Sequence, residues 1–179
     1  EMKKILLTIA AIALFAAPAS AQMFSLWADE GMTSCAVQTG PYTPFTIFVF
    51  LDPGPDGAFA AEYKLVGPVG HFSTANAKAA FVSGATIGVP FGAPGMAAPF
   101  LSCQNDLVWV WNVTCMGPSM DAGFYLLEPN DDSGNLGIAI CPGDRPLADG
   151  VLYNYFGFND DCRIGTEESS WGAIKSMMD

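Results

Sequence analysis

The sequence predicts an all-β protein, an antiparallel β-sandwich of the Greek-key or immunoglobulin-like kind with a short C-terminal helix. Two observations lead to this fold class. Short apolar or alternating runs recur between turn-forming clusters of Gly, Pro, Asn and Asp, as in proteins built from many short strands. The composition agrees, because only 14% of the residues are charged while the chain holds 19 Gly and 13 Pro.

The strongest strand signal is the apolar run at residues 45–51, which is broken only by Thr46. A run without polar alternation is typical of a central strand covered on both faces. A turn rich in Asp, Pro and Gly follows at 52–57, and residues 58–66 then alternate between apolar and polar. We expect the two runs to form a hairpin whose second strand has one solvent-exposed face.

The second strong strand is predicted at residues 107–115. At a period of two, Leu107, Trp109, Trp111 and Val113 share one face. This Trp-bearing face is expected to point into the core. The strand would then cover the apolar run at 45–51 from a second sheet.

Weaker signals complete the pattern. Residues 73–81 fit either one or two helical turns capped by Ser73 or Thr74, or a loop followed by a strand. Residues 92–99 are rich in Gly, Pro and Ala and predict a loop. Further short strands are predicted at residues 24–28, 33–38, 85–90, 124–127, 136–141 and 151–158.

The N-terminus has the features of a secretory signal peptide spanning residues 1–21. Lys3 and Lys4 precede an apolar stretch, and Ala19 and Ala21 form a small-x-small cleavage pattern. The apolar stretch is short for a membrane span, and we expect no span once the signal is cleaved. The prediction is therefore a secreted protein, periplasmic or extracellular, with a single β-sandwich domain at 22–165.

Residues 166–179 are predicted to form the C-terminal helix. Trp171, Ile174 and Met178 fall on one face at helical spacing. This face either docks on the domain itself or binds a protein partner, and the spacing favours neither alternative.

The charge argues against two classes of partner. The chain carries a net charge of −11, and its few basic residues are scattered after the signal peptide. Nucleic acids and anionic membrane surfaces require a basic patch, so neither is an expected partner.

The five cysteines, all beyond the signal peptide, predict disulfides in an oxidising compartment. An odd number leaves at least one thiol unpaired within the chain. Any of the five can be the odd one, and four cysteines pair in three ways, so the residues alone leave the connectivity open.

Enzymatic activity is not predicted. His71 is the single histidine, so a Ser-His-Asp or Cys-His system would need it. It lies in a predicted loop without a nucleophile elbow, where a solvent-exposed histidine is expected. No catalytic residue and no resident cofactor is predicted, and a secreted hydrolase ranks third among the functions.

Acidic turns are the candidate metal site. Asp131 and Asp132 lie in a run of oxygen-bearing side chains at 130–135, and Asp160 lies in a second such run. Calcium takes six to eight oxygen ligands, and these turns supply some of them. The alternative is that Asn, Asp and Gly are present because tight turns require them. Trp27, Trp109, Trp111 and Trp171 could instead form a stacking platform for sugars.

Several stretches together resemble a group of secreted bacterial β-sandwich proteins that end in a Trp-Gly-x-Ile/Val-Lys segment. The resemblance rests on residues 26–35, the apolar run at 46–51, Ser102-Cys103, residues 127–134 and Trp171-Gly172-Ala173-Ile174-Lys175. It implies a small exported protein, and it carries over no catalytic residues. It also implies that Cys115 is the spare cysteine, because the other four cysteines match the pattern of the group.

Taken together, these features predict an exported, non-enzymatic structural or binding module of the cell exterior. The alternative is a β-sandwich that binds calcium or carbohydrate.

Overall fold

The computed structural model describes residues 22–141 and 147–164, and this part of the chain is built from β-strands. The predicted all-β class is confirmed. The predicted signal peptide and the helix at 166–179 lie outside the described residues and stay predictions. Within the described ranges, no helix is long and apolar enough to cross a membrane. The strands are β1 (Met23–Trp27), β2 (Ala36–Val37), β3 (Phe45–Asp52), β4 (Ala58–Val66), β5 (Phe72–Lys78), β6 (Ile87–Gly88), β7 (Met96–Gln104), β8 (Val108–Met116), β9 (Gly123–Glu128), β10 (Gly137–Ile140), β11 (Leu147–Asp149), β12 (Val151–Leu152), β13 (Asn154–Phe158) and β14 (Arg163–Ile164).

The strands form two sheets that pack face to face. The smaller sheet has the order β12-β1-β3-β8-β5. The larger has the order β11-β10-β4-β9-β13-β14, with β7 also paired to β4, β6 to β7 and β2 to β13. Between the sheets, the ring of Phe45 lies 5.6 Å from that of Tyr125 and 5.2 Å from that of Phe158, measured between centroids. One apolar core therefore joins both sheets, and the predicted sandwich is confirmed.

The sheets are mixed and not purely antiparallel. Met23 of β1 pairs with Val151 of β12 in parallel, and Ala36 of β2 pairs in parallel with Gly157 of β13. Parallel neighbours need a long crossover connection, and most of the domain lies between the members of each pair. The antiparallel prediction is wrong for these two pairs, and the Greek-key or immunoglobulin-like assignment stays a prediction.

The predicted hairpin at 45–66 is wrong, although both of its strands exist. β3 pairs with β1 and β8, whereas β4 pairs with β7, β9 and β10. The five-residue connection at 53–57 carries the chain across the sandwich, a distance of about 10 Å between sheets. β8, expected to cover β3 from the opposite sheet, is its hydrogen-bonded neighbour, and β4 belongs to the covering sheet.

A bulge in β8 separates the two tryptophans that were expected on one face. Val49 lies opposite Trp111, but the next residue, Phe50, lies opposite Trp109, so Val110 is an extra residue. Such a bulge reverses the alternation of side chains. Trp111 lies in the core with 7% of its surface exposed, while Trp109 is half-buried. Trp109 therefore lies on the face of Phe50, opposite to the one predicted, although part of its ring still packs against the core cluster.

Residues 73–81 and 92–99 are resolved in favour of strands. β5 pairs with β8 and is exposed along its whole length, while Ala79 and Val82 beyond it enter the core. The helical alternative is therefore wrong, and the other alternative has the order reversed, because the strand comes first and a turn follows it. β7 replaces much of the predicted loop at 92–99, because Ala97, Ala98 and Pro99 pair with β4.

Two disulfides join distant parts of the chain. Cys35 pairs with Cys162, and Cys103 pairs with Cys141. Cys115 is free and buried. This agrees with the resemblance, which left Cys115 as the spare cysteine.

Candidate functional site

The solvent side of the smaller sheet carries a group of aromatic side chains, which we call the outer aromatic face: Trp27, Phe48, Phe50 and Trp109. The strand register brings them together, because Trp27 lies opposite Phe48 and Phe50 lies opposite Trp109. Phe50 is only 6% exposed, yet it is not part of the central core cluster. Its neighbours on the outer face therefore cover it.

The hydrogen bonds of the two outer tryptophans differ. Trp27 Nε1 donates to Ser25 Oγ at 2.9 Å, which orients the indole along its own strand. Trp109 Nε1 is buried and has no hydrogen-bond partner within the described residues, and the Trp109 ring lies 6.2 Å from that of Phe48. The outer aromatic face is thus packed like a small second core on the solvent side of the sheet.

A cleft of about 170 Å³ opens at one edge of this face, and we call it the apolar cleft. Trp27 and Tyr153 are both half-buried in it, and Leu107 is 46% exposed. Its wall is mainly apolar, with Ser25 and Asp52 as the polar exceptions. The lining residues are Met23, Ser25, Trp27, Met32, Asp52, Leu107 and Tyr153.

Local structure fixes the parts of the cleft that lie outside strands. Met32 has a positive φ of 53° in the turn after β1, and the Asp29 carboxylate holds this turn by accepting hydrogen bonds from the backbone N–H groups of Thr33 and Ser34. The Thr33 backbone hydrogen bond also lowers the pKa of Asp29. Tyr153 is placed by its backbone N–H, which donates to the carbonyl of Phe24 at 2.8 Å. Hydrogen bonds to the backbone therefore hold the parts of the cleft that lie outside strands.

Sequence reasoning missed most of this cleft. Met23, Met32 and Tyr153 come from separate segments and were not candidates. Leu107 was expected in the core, but it is 46% exposed and lines the cleft. A signal was present in β1, since Met23 and Trp27 share the face opposite to Phe24 and Leu26. An apolar residue on each face of an edge-proximal strand indicates either a second core or a binding surface.

A second concavity, of about 220 Å³, lies on the solvent side of the larger sheet, and we call it the polar pocket. Its lining residues are Glu62, Ile87, Gly88, Pro94, Gly95, Ala97, Asn130, Asp132 and Ser133. Of the predicted metal residues, Asp132 reaches this pocket. Glu62 was not a candidate from the sequence, because it was predicted to be an ordinary polar residue on the solvent-exposed face of its strand.

The three predicted metal ligands are not gathered into one site. Asp131 Oδ1 accepts a hydrogen bond from Lys64 Nζ at 2.6 Å, and the Asp160 carboxylate accepts one from the N–H of Asp161 at 2.8 Å. In the described ranges no three His, Cys, Asp or Glu side chains are grouped so as to hold a metal ion. Asn130 Oδ1 accepts from the N–H of Asp132, which is turn chemistry. Calcium binding stays a prediction.

His71 is buried, contrary to the expectation of a solvent-exposed loop histidine, with 9% of its surface exposed. Its Nδ1 shares a hydrogen bond with the hydroxyl of Tyr125. Its ring is nearly perpendicular to that of Phe158, with 4.6 Å between the ring centroids. The Tyr125 side chain also interacts electrostatically with the Cys115 thiol. Burial raises the pKa of the Cys115 thiol to about 12. The thiol therefore stays protonated at neutral pH and is a poor nucleophile.

The buried histidine makes stability depend on pH. Burial lowers the pKa of His71 below its ordinary value of 6.5, so the unfolded chain binds a proton more readily than the folded chain. Stability from this residue is complete above pH 6.5 and is lost as the pH falls toward the lowered folded pKa. We expect the free energy of unfolding, measured in urea, to fall between pH 7.5 and 5.5.

The control is His71→Gln, which removes the single imidazole of the chain. The variant is expected to be less stable at pH 7.5 but to lose its stability less steeply over the same pH range. Equal pH dependence in the two proteins would contradict the assignment.

The comparisons with known proteins give little beyond the fold. No protein-family model matches the sequence, and no curated protein is significantly similar to it. A solved structure with a similar course of the chain is the sixth cohesin of scaffoldin B from Acetivibrio cellulolyticus, in complex with a mutant Cel5 dockerin. It is 12% identical, with a TM-score of 0.48, and the match covers 74% of this chain and 99% of the cohesin. A likeness of this degree carries no information about ligands or partners.

The resemblance to the secreted bacterial group stays a prediction. So does a protein contact through Trp171, Ile174 and Met178, because these residues lie outside the described part of the chain.

Proposed function

We propose that the chain is an exported, non-enzymatic binding module of the cell exterior, and that its apolar cleft accepts an apolar side chain of a protein partner. The observation that carries this proposal is the cleft itself. Met23, Trp27, Met32 and Leu107 provide an apolar wall on the solvent side of a sheet whose core lies on the other side.

The chemistry of the wall favours a protein partner. Methionine adapts to differently shaped apolar groups, and aromatic residues dominate the energetics of interfaces. A sugar needs several hydrogen-bonding groups, whereas Ser25 and Asp52 in the cleft wall already make hydrogen bonds within the protein. Ser25 Oγ already accepts from Trp27, and Asp52 Oδ1 accepts from the N–H of Gly54 at 3.0 Å.

The test is a random-peptide display against the whole exported chain, followed by affinity measurements on the enriched peptides. Leu107→Asp places a charge in the cleft. Leu101→Asp is the matched control, because Leu101 is 70% exposed and does not line the cleft. We expect peptides with an apolar anchor to bind the Leu107→Asp variant at least tenfold more weakly, with the control unchanged. A tenfold loss corresponds to about 1.4 kcal/mol.

The proposal fails if no peptide is enriched, or if the enriched peptides bind both variants equally. Unchanged thermal unfolding of Leu107→Asp would show that the loss of binding does not come from misfolding.

Carbohydrate is the second candidate, because Trp27 and Tyr153 lie in the same cleft and aromatic faces stack on sugar rings. Affinity electrophoresis in gels containing soluble polysaccharides tests it. Retardation that Trp27→Ala removes would favour a sugar over a peptide.

A further inference from the structure

We infer that the polar pocket on the larger sheet is a second binding site, which takes the positively charged nitrogen group of an organic ligand, an ammonium or a guanidinium, beside Glu62. This inference does not depend on the apolar cleft, which lies on the other sheet.

The pocket exists because small residues flank Glu62 in the sheet. Glu62 lies in the middle of β4, opposite Ala97 of β7 on one side and Gly137 of β10 on the other. Tyr63 and Leu65 of the same strand point into the core, so Glu62 is on the solvent side. With a methyl group on one side and no side chain on the other, the sheet leaves a hollow next to the carboxylate.

Two loops close this hollow. The N–H of Asp131 donates to the carbonyl of Pro94 at 2.8 Å, which joins the turn at 130–135 to the loop before β7. Gly88 and Gly95 allow the backbones in the pocket wall to approach closely. A Cβ atom on Gly88 would lie 2.0 Å from the carbonyl oxygen of Gly95.

The pocket holds a carboxylate without a counter-charge. Glu62 Oε2 is shut off from solvent and has no hydrogen-bond partner within the described residues. Glu62 as a whole is half-buried, and shutting one of its carboxylate oxygens off from water without a hydrogen-bond partner is costly to the fold. Asp132 adds a second carboxylate to the wall, and the side chain of Asn130, 6% exposed, contributes an amide.

The basic side chains in the described ranges are paired with groups other than Glu62, although Lys64 lies on the same side of β4 as Glu62. Lys64 Nζ lies 2.6 Å from Asp131 Oδ1 and 3.2 Å from Glu128 Oε2. Lys78 Nζ donates to the carbonyl of Ser83 at 2.7 Å, and the guanidinium of Arg163 lies 4.1 Å from the centre of the Phe124 ring. The missing positive charge is therefore expected from a ligand.

An organic cation fits this wall better than a metal ion. The described residues offer no group of three metal-binding side chains, whereas a guanidinium or ammonium is held by one or two carboxylates together with neutral acceptors. The volume of about 220 Å³ also accommodates a group larger than a bare ion.

The experiment is isothermal titration of the protein with methylguanidinium, methylammonium and calcium chloride, one at a time. Physiological ionic strength screens the general attraction of cations to an acidic protein. Glu62→Gln removes the charge with little change of shape. Glu30→Gln is the matched control, since Glu30 is exposed and does not line the pocket.

We expect saturable binding of at least one nitrogen cation, weakened tenfold or more by Glu62→Gln and unchanged by Glu30→Gln. Asp132→Asn should also weaken binding. Because Asp132 is exposed in a turn, this variant is expected to fold normally and tests the pocket even if Glu62→Gln misfolds. N-acetylarginine methylamide then shows whether the cationic group belongs to a peptide or to a free small molecule. Tighter binding than that of methylguanidinium indicates an arginine side chain of a peptide, and equal binding indicates a free small cation.

Three results would overturn the inference. They are the absence of saturable binding, equal binding by wild type and Glu62→Gln, and binding of calcium alone.

Discussion

Replacing both Cys35 and Cys162 by Ser is expected to lower the free energy of unfolding by about 5 kcal/mol. The two residues are 127 positions apart, so their disulfide restricts the unfolded chain over most of the described domain. Loop entropy predicts a loss of this size for so long a loop. The loss is a large part of the 5–15 kcal/mol typical of a whole domain. Urea unfolding of wild type and variant measures it.

The matched control is the double variant of the other disulfide, Cys103→Ser with Cys141→Ser. These residues are 38 positions apart, and the same loop model predicts a loss of about 4 kcal/mol. The Cys35–Cys162 variant should therefore be the less stable of the two. If it unfolds at the same urea concentration as wild type, the disulfide does not constrain the chain in the way described.

Trp111→Ala is expected to lower the free energy of unfolding by about 3–5 kcal/mol, because the indole fills the core and its removal leaves a cavity. Trp109→Ala should cost clearly less, about 1–2 kcal/mol, because its half-buried ring packs on the outer aromatic face. The measurement is chemical unfolding of the two variants side by side.

Trp111→Phe provides a control for cavity formation. It keeps most of the ring volume and removes Nε1, which is buried without a partner in the described residues, so its cost should fall well below that of Trp111→Ala. Equal losses at positions 109 and 111 would mean that the bulge does not separate the two rings.

Local patterns were enough to place several strands. The apolar run at 45–51 became β3, and the alternating run at 58–66 became β4 with the same bounds. Hydrophobic periodicity and turn residues act over a few positions, so a single sequence records them directly.

The pairing partners of those strands could not be predicted from local patterns. A period of two says which side chains face inward but does not say which strand lies alongside. The connection at 53–57 is long enough to close a wide hairpin or to change sheets. The choice depends on how β3 packs against β1 and β8, which are distant in the sequence.

In the candidate sites too, some features could be predicted from local sequence and others depend on the tertiary structure. The acidic turn at 130–135 was visible as a cluster, and Asn130 does organise it by accepting hydrogen bonds from the turn backbone. Glu62 acquires its importance only because Ala97 and Gly137 are its neighbours across the sheet. Met32, Leu107 and Tyr153 meet in one cleft only through the strand register.

The sequence by itself determined the all-β class, the positions of the main strands and, through the resemblance, the spare cysteine. The tertiary structure decided that residues 45–66 span both sheets, that a bulge turns Trp109 outward and that His71 is buried. The physical reason is the distance in sequence over which each kind of interaction acts. Strand and turn propensities are local, whereas burial, register and bulges depend on side chains that come from distant positions and compete for one core.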